Sequence, residues 1–349
     1  MTAAEPPKKI AAVPHIPVLD GVRAMSILLV MAGHMLPLGA FSYGDFHINF
    51  SGAAAVGGMS LFFILSGFLI VSFLLARQDI TEFLIKRIVR IVPAVYVFLV
   101  VFYIFVDFNP EAFLAAATFT LNYFNVHMDK VNGILWSLCV EMHFYLLAAA
   151  IVFALGRRGL YLLPMLALVV TGLRIHQGVG LHIYTHLRLD EILVGCTLGL
   201  LYWEHRNWFD KARRALVWSF VPVGLVWVAS SDYDFFPVVY ARPYLAGLLV
   251  AAVLAMRGNI VTAFLESAPM RYIATVSYAL YIWHFSTLAF GMNEGSTATR
   301  YLVKRPISFA LTFAAAHLST FYIEKPTANY FRGVLKNRRA RLEAAAARA

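Results

Sequence analysis

Residues 23–35 read RAMSILLVMAGHM: an arginine, ten mostly apolar residues, then a histidine with more apolar sequence beyond it. A run this apolar predicts a helix that enters a membrane, because about 20 apolar residues at 1.5 Å each cross the hydrocarbon core. An ionisable group at that depth is costly and faces a protein interior or a water-filled cavity. Eleven residues turn the helix about 20° past three full turns, so Arg23 and His34 share a face about 16 Å apart along the axis. Asp20, three residues before Arg23, shares it too. The two basic groups cannot touch, so they would serve different parts of one long ligand or path. The plainer alternative is an interfacial arginine that snorkels and a core histidine held by a hydrogen bond.

The whole chain agrees with this start. It has 349 residues, 60% hydrophobic and only 14% charged, with a mean hydropathy of +0.71. Soluble domains carry about 25% charged residues. The net charge of +10 does not point to nucleic acid, because a polytopic protein gathers Lys and Arg in its cytosolic loops. Two cysteines, each inside an apolar segment, indicate neither a disulfide framework nor a cysteine metal site, and no metal or permanently bound cofactor is expected.

Candidate spans are 20–40, 57–76, 88–106, 135–155, 159–175, 186–203, 214–231, 240–256, 272–291 and 303–323. The segment EAFLAAATFTLNYF, 111–124, is apolar but short; it is an eleventh span or a re-entrant or interfacial piece. With ten spans and both termini cytosolic, twenty of the 29 Lys and Arg lie on the cytosolic side, Lys8 and Lys9 among them, and four outside, including Lys130. Counting 111–124 as a span would flip everything after it, so the positive-inside bias favours ten. The expected fold is all-α: residues 1–16 a cytosolic tail without the apolar core of a signal peptide, 17–330 a transmembrane domain, and 331–349 a basic cytosolic tail.

Three further stretches carry chemistry. WSLCVEMHFY, 136–145, puts Glu141 inside a span with Ser137 and Tyr145 one turn to either side. A buried carboxylate must be protonated, paired or useful, and pairing with Arg188 in RLDEILVG is the structural alternative. IKRIVRIVP supplies Lys86, Arg87 and Arg90; the last two lie on one helical face as an anchor for phosphates, or all three simply set topology. SYALYIWHF aligns Ser277, Tyr281 and His284 on one stripe, for which core packing is the default.

Together these pieces resemble the acyltransferase-3 family of bacterial membrane acyltransferases. LDGVRAMSILLVMAGH carries the family's Arg–ten residues–His pattern, and GGMSLFFILSGFLI is similar to its second-helix motif. KRIVRIVP, WSLCVEMHFY, RLDEILVG, SYALYIWH and EKP (324–326) follow in family order over roughly residues 17–330. The resemblance implies acyl transfer from acyl-CoA, acetyl-CoA being the expected co-substrate, to a hydroxyl of a sugar, glycan or glycosylated small molecule, the acceptor lipid-linked or free. It also implies an inner-membrane, multi-pass enzyme. By the same resemblance His34 is the general base, and Arg23, Arg87 and Arg90, with Lys86, serve the donor. Glu141, which would orient or charge-balance His34, and Asp20 complete the catalytic set, with Trp136, Ser137, Tyr145, Arg188, Tyr281 and His284 supporting.

Two departures stand out: Glu141 is followed by Met142 and His143 where the family often has a second acid, and after Pro326 only a basic stretch remains, as expected of a stand-alone member. The alternative is a multi-span transporter or flippase, although the paired, Gly/Pro-interrupted half-repeats of that class are not seen. A di-haem cytochrome would pair histidines about four turns apart on one helix, and no span does.

Overall fold

The computed structural model describes residues 14–43, 46–105, 109–128, 132–232, 237–287 and 294–346. Most of the expected N-terminal tail, with Lys8 and Lys9, and the loop cation Lys130 lie outside them. The fold is all-α and polytopic. Helices α1 (Pro17–Met35), α2 (Phe50–Ala76), α3 (Ile80–Phe105), α4 (Pro110–Ala117), α5 (Trp136–Leu155) and α6 (Leu163–His176) make the first half. The second half is α7 (Asp190–Glu204), α8 (Arg206–Ser230), α9 (Arg242–Ala255), α10 (Ile260–Leu265), α11 (Ala268–Trp283), α12 (Arg305–Ser319) and α13 (Lys325–Ala346). Proline in the first turn opens α1, α4, α6, α9, α11 and α12, where its missing N–H costs nothing. Asn49 and Asn109 cap α2 and α4 by accepting two backbone N–H groups each.

Seven helical segments among the described residues are long and apolar enough to cross a membrane: 17–35, 50–76, 80–105, 132–176, 206–230, 238–255 and 299–341. The fourth is two helices. Gly156, at φ +60°, ends α5, and the chain turns back so that Gly159 packs on Ile151. The last runs unbroken as α12, a π-helical turn at 320–324, and α13.

Several boundaries differ from expectation: α2, α3 and α8 start seven or eight residues before 57, 88 and 214, whereas 111–124 is the short piece that the charge count favoured. The first helix stops at Met35 rather than 40, because Pro37 and a Gly39 at φ +77° end it; a short antiparallel ribbon, β1 (Ala40–Tyr43) with β2 (Phe46–Asn49), follows. It falls in the connection between the first two expected spans, where no strand was anticipated. Segment 111–124 forms only the eight-residue α4 and turns, about 12 Å long, too short to cross the hydrocarbon. The helix expected over 272–291 ends at Trp283.

The core forms where α2 is wedged between α1 and α7. Gly67 on α2 and Gly195 on α7 face each other's backbones: a Cβ on Gly67 would fall 1.9 Å from the Ile192 carbonyl oxygen, and one on Gly195 2.1 Å from that of Ile64. Helices in lipid gain by such close approach. Gly58 likewise seats α2 against Ser26 and Val30 of α1, and Ser26 Oγ donates to the Gly58 carbonyl at 2.8 Å. Gly67→Ala forces the two helices apart and is expected to cost on the order of 1–3 kcal/mol, the usual range for overpacking. Thermal unfolding in nanodiscs should show a clear drop relative to Gly172→Ala, a position with open space; equal melting of the two variants would refute the close packing.

Candidate functional site

Helices α1 and α11 lie side by side and bring together two histidines 250 residues apart. His34 Nδ1 and His284 Nε2 are 3.1 Å apart, their rings stacked at 5.2 Å with 19° between planes. His284 Nδ1 lies 2.7 Å from the Tyr281 carbonyl oxygen. A carbonyl only accepts, so His284 carries its proton on Nδ1 and offers Nε2 as an acceptor. His34 must then donate from Nδ1, which leaves its Nε2 lone pair free. His284 is 1% exposed, whereas the His34 ring is accessible, on the wall of a cavity of about 540 Å³. Phe285 packs on both rings at 4.6 Å.

The same cavity is lined by Trp136, Arg188, Tyr281 and His182. Tyr281 OH donates to the Ile134 carbonyl and accepts from Ser137 Oγ, both at 2.7 Å, so α11 is tied to the start of α5. Four of the supporting residues expected from sequence (Trp136, Ser137, Arg188 and Tyr281) therefore gather around His34. His284 joins them as a direct partner, where its sequence context suggested core packing. Beyond His182, the rings of Tyr184, Tyr123 and His186 stack on one another.

Glu141 sits elsewhere. Its carboxylate accepts from Ser66 Oγ at 2.5 Å and from Tyr145 OH, and it faces the charges of Arg23 and Arg87. Neither hydrogen-bond partner is His34, and Arg188 pairs with Glu191 instead, at 3.1 Å. Glu141 thus belongs to a basic level near the start of α1, with Arg23, Arg87 and Arg90. Asp20 holds Arg23 at 3.6 Å and accepts from His15 at 2.7 Å. Arg87 lies over the Phe83 and Tyr145 rings, and among the described residues neither it nor Arg90 makes an ion pair. Lys86 pairs with Glu82 at 2.7 Å. A second cavity of about 450 Å³ is lined by Lys86, Arg90, Thr275, Glu324, Lys325 and Arg332.

The two levels share elements. Thr275 lines the basic cavity and Tyr281 the His34 cavity, six residues and about 9 Å apart along α11. Arg23 and His34 repeat this layout on α1. Lys86, Arg87 and Arg90 are part of α3 itself, and the basic C-terminal stretch is anchored at the start of that helix: Arg338 reaches Asp79 at 2.5 Å and Arg339 reaches Glu82.

Sequence reading missed Ser66, the partner of Glu141, although it sits in the quoted GGMSLFFILSGFLI; a serine in an apolar helix was the only signal. It also missed how the buried charges pair. Arg174 bonds Asp190, and Glu191 takes Arg242 at 3.0 Å and Ser60 Oγ at 2.8 Å.

Comparison with known proteins gives this arrangement a family. The family described as "Acyltransferase domain" matches residues 16–324. The chain belongs to that acyltransferase family. Relatives include the peptidoglycan O-acetyltransferase OatA of Listeria monocytogenes, 26% identical over 91% of this chain and 57% of the relative. The O-acetyltransferase OatA of Staphylococcus aureus is 26% identical over 89% of this chain and 57% of its own length. The chain thus spans a little over half the length of these relatives. No solved structure matches it.

The tautomer assignment is directly measurable. In protein labelled with ¹⁵N-histidine, His34 Nε2 should give a non-protonated nitrogen shift and Nδ1 a protonated one at neutral pH. In His284→Ala the preference should relax towards the mixture of an unconstrained imidazole; a protonated Nε2 in the wild type would overturn the chain of donors.

Proposed function

We propose that this chain is an O-acyltransferase of the bacterial inner membrane, moving an acetyl group from cytosolic acyl-CoA to a hydroxyl of a sugar, glycan or glycosylated small molecule. The observation that carries this reading is the free Nε2 of His34, held by His284 on the wall of a cavity. The names of the relatives, O-acetyltransferases and in one case a peptidoglycan O-acetyltransferase, favour acetyl as the group and a glycan as the acceptor.

In this reading the chain spans the membrane ten times with both ends cytosolic, and α4 packs in from the outer face. The donor's phosphates rest among Lys86, Arg87, Arg90 and Arg23, with Asp20 setting the Arg23 side chain. The pantetheine arm runs from this level towards the His34 cavity, in the direction of α1 and α11. A hydroxyl is a weak nucleophile until a base takes its proton, and a neutral imidazole with an open lone pair can take it. His34 Nε2 takes the hydroxyl proton as the oxygen attacks the thioester carbonyl. The C–O bond forms, the C–S bond breaks, and the departing thiolate receives the proton back. Glu141 acts on the donor side, balancing the arginines, in place of the His34-orienting role expected of it.

Purified protein in nanodiscs should consume acetyl-CoA. His34→Ala should lower turnover by about 10²–10⁴, the usual worth of a general base, with donor binding retained. Arg23→Ala should chiefly raise KM for acetyl-CoA. A folded wild type that neither binds nor consumes acyl-CoA would end this reading.

A further inference from the structure

The charges buried beside the His34 cavity do not balance among their own partners. Arg174, Arg188 and Arg242 face Asp190 and Glu191, and all five side chains are at most 2% exposed. Arg174 is matched to Asp190 and the Gly180 carbonyl. Glu191 alone serves both Arg188 and Arg242, while also accepting from Ser60. Asp232, the acid at the end of α8, takes the backbone N–H of Asn49.

Of the three arginines, Arg188 is among the residues that line the cavity. Its Nε has no acceptor among the described residues, and the rings of Phe63 and Trp136 stand over it at 5.6 and 5.4 Å. No carboxylate is among the described residues that line this cavity; the other side chains with polar atoms there are His34, Trp136, His182 and Tyr281. A guanidinium that shares its one carboxylate, in surroundings that screen charge weakly, draws an anion into the adjoining space. Its planar fork suits a carboxylate or a phosphate.

We propose, building on the acyltransferase reading, that the acceptor sugar carries an acidic group, carboxylate or phosphate, that pairs with Arg188 and so holds a neighbouring hydroxyl at His34. Arg188 is then a specificity-determining residue, and neutral sugars of the same shape are poor acceptors.

The test is equilibrium binding to the protein in nanodiscs, which needs no turnover. The probes are N-acetylmuramic acid, its neutral methyl ester, and N-acetylglucosamine 1-phosphate. Wild type should bind at least one of the anionic sugars about tenfold or more tightly than the ester, as a charge-assisted contact predicts. The tighter of the two identifies carboxylate or phosphate as the recognised group. In Arg188→Gln the preference should fall to about one, and Arg188→Lys should retain part of it. Equal binding of ester and acids by the wild type, no binding of either anionic sugar, or a preference that survives in folded Arg188→Gln would each overturn the proposal. The wild-type comparison decides the matter even if the variants fail to fold. An intact charge preference without acetyl-CoA consumption would remove the acyltransferase reading and leave the anion site; acetyl transfer to ester and acids alike would do the reverse.

Discussion

Glu191 is the residue on which the arrangement depends. It lies fully buried on α7, accepts from Ser60 of α2, and pairs with Arg188 beside it and Arg242 of α9. The adjacent Asp190 ties in Arg174 of α6. Isolated charges at this depth would be prohibitive, and removing one partner of such a network leaves the others uncompensated, which in known cases costs about 3–5 kcal/mol. Four helices are therefore held in register by these polar contacts. The glycine contacts between α2 and α7 bring the helix backbones close; the ions determine where they meet.

That register sets up two levels of chemistry on shared helices. At one level Arg23, Arg87, Arg90 and Glu141 gather near the start of α1; at the other His34, His284, Tyr281 and Arg188 surround a cavity. Because α1 and α11 each contribute to both, the separation between them is set by helical rise rather than by loops. A helix is stiff over this distance, which suits positioning a long, charged-headed molecule against a reacting group.

Much of this was legible in the sequence, for reasons that differ by residue. The apolar runs reported the helices, since hydrocarbon tolerates little else. Arg23 and His34 could be put on one face because helical periodicity is local. The basic run 86–90 and Glu141 stood out because charge inside apolar sequence is rare. What could not be read was which distant residues meet. His284 looked like packing because its partner is 250 positions away, and Glu141 was assigned towards His34 because nothing local revealed Ser66. Helix ends failed where breakers were discounted: Pro37 and Gly39 stop α1 five residues early, and the alternation of 40–49 makes a ribbon.

The chain of donors behind His34 has an end. His284 gives its Nδ1 proton to a backbone carbonyl, and an amide oxygen has no proton of its own to pass on and takes none up near neutral pH. Among the described residues, the hydrogen-bonded chain behind His34 ends at that carbonyl, and the pair aims the imidazole. His284 thus acts on His34 as a fixed acceptor that sets its tautomer and its aim, and not as a store of protons.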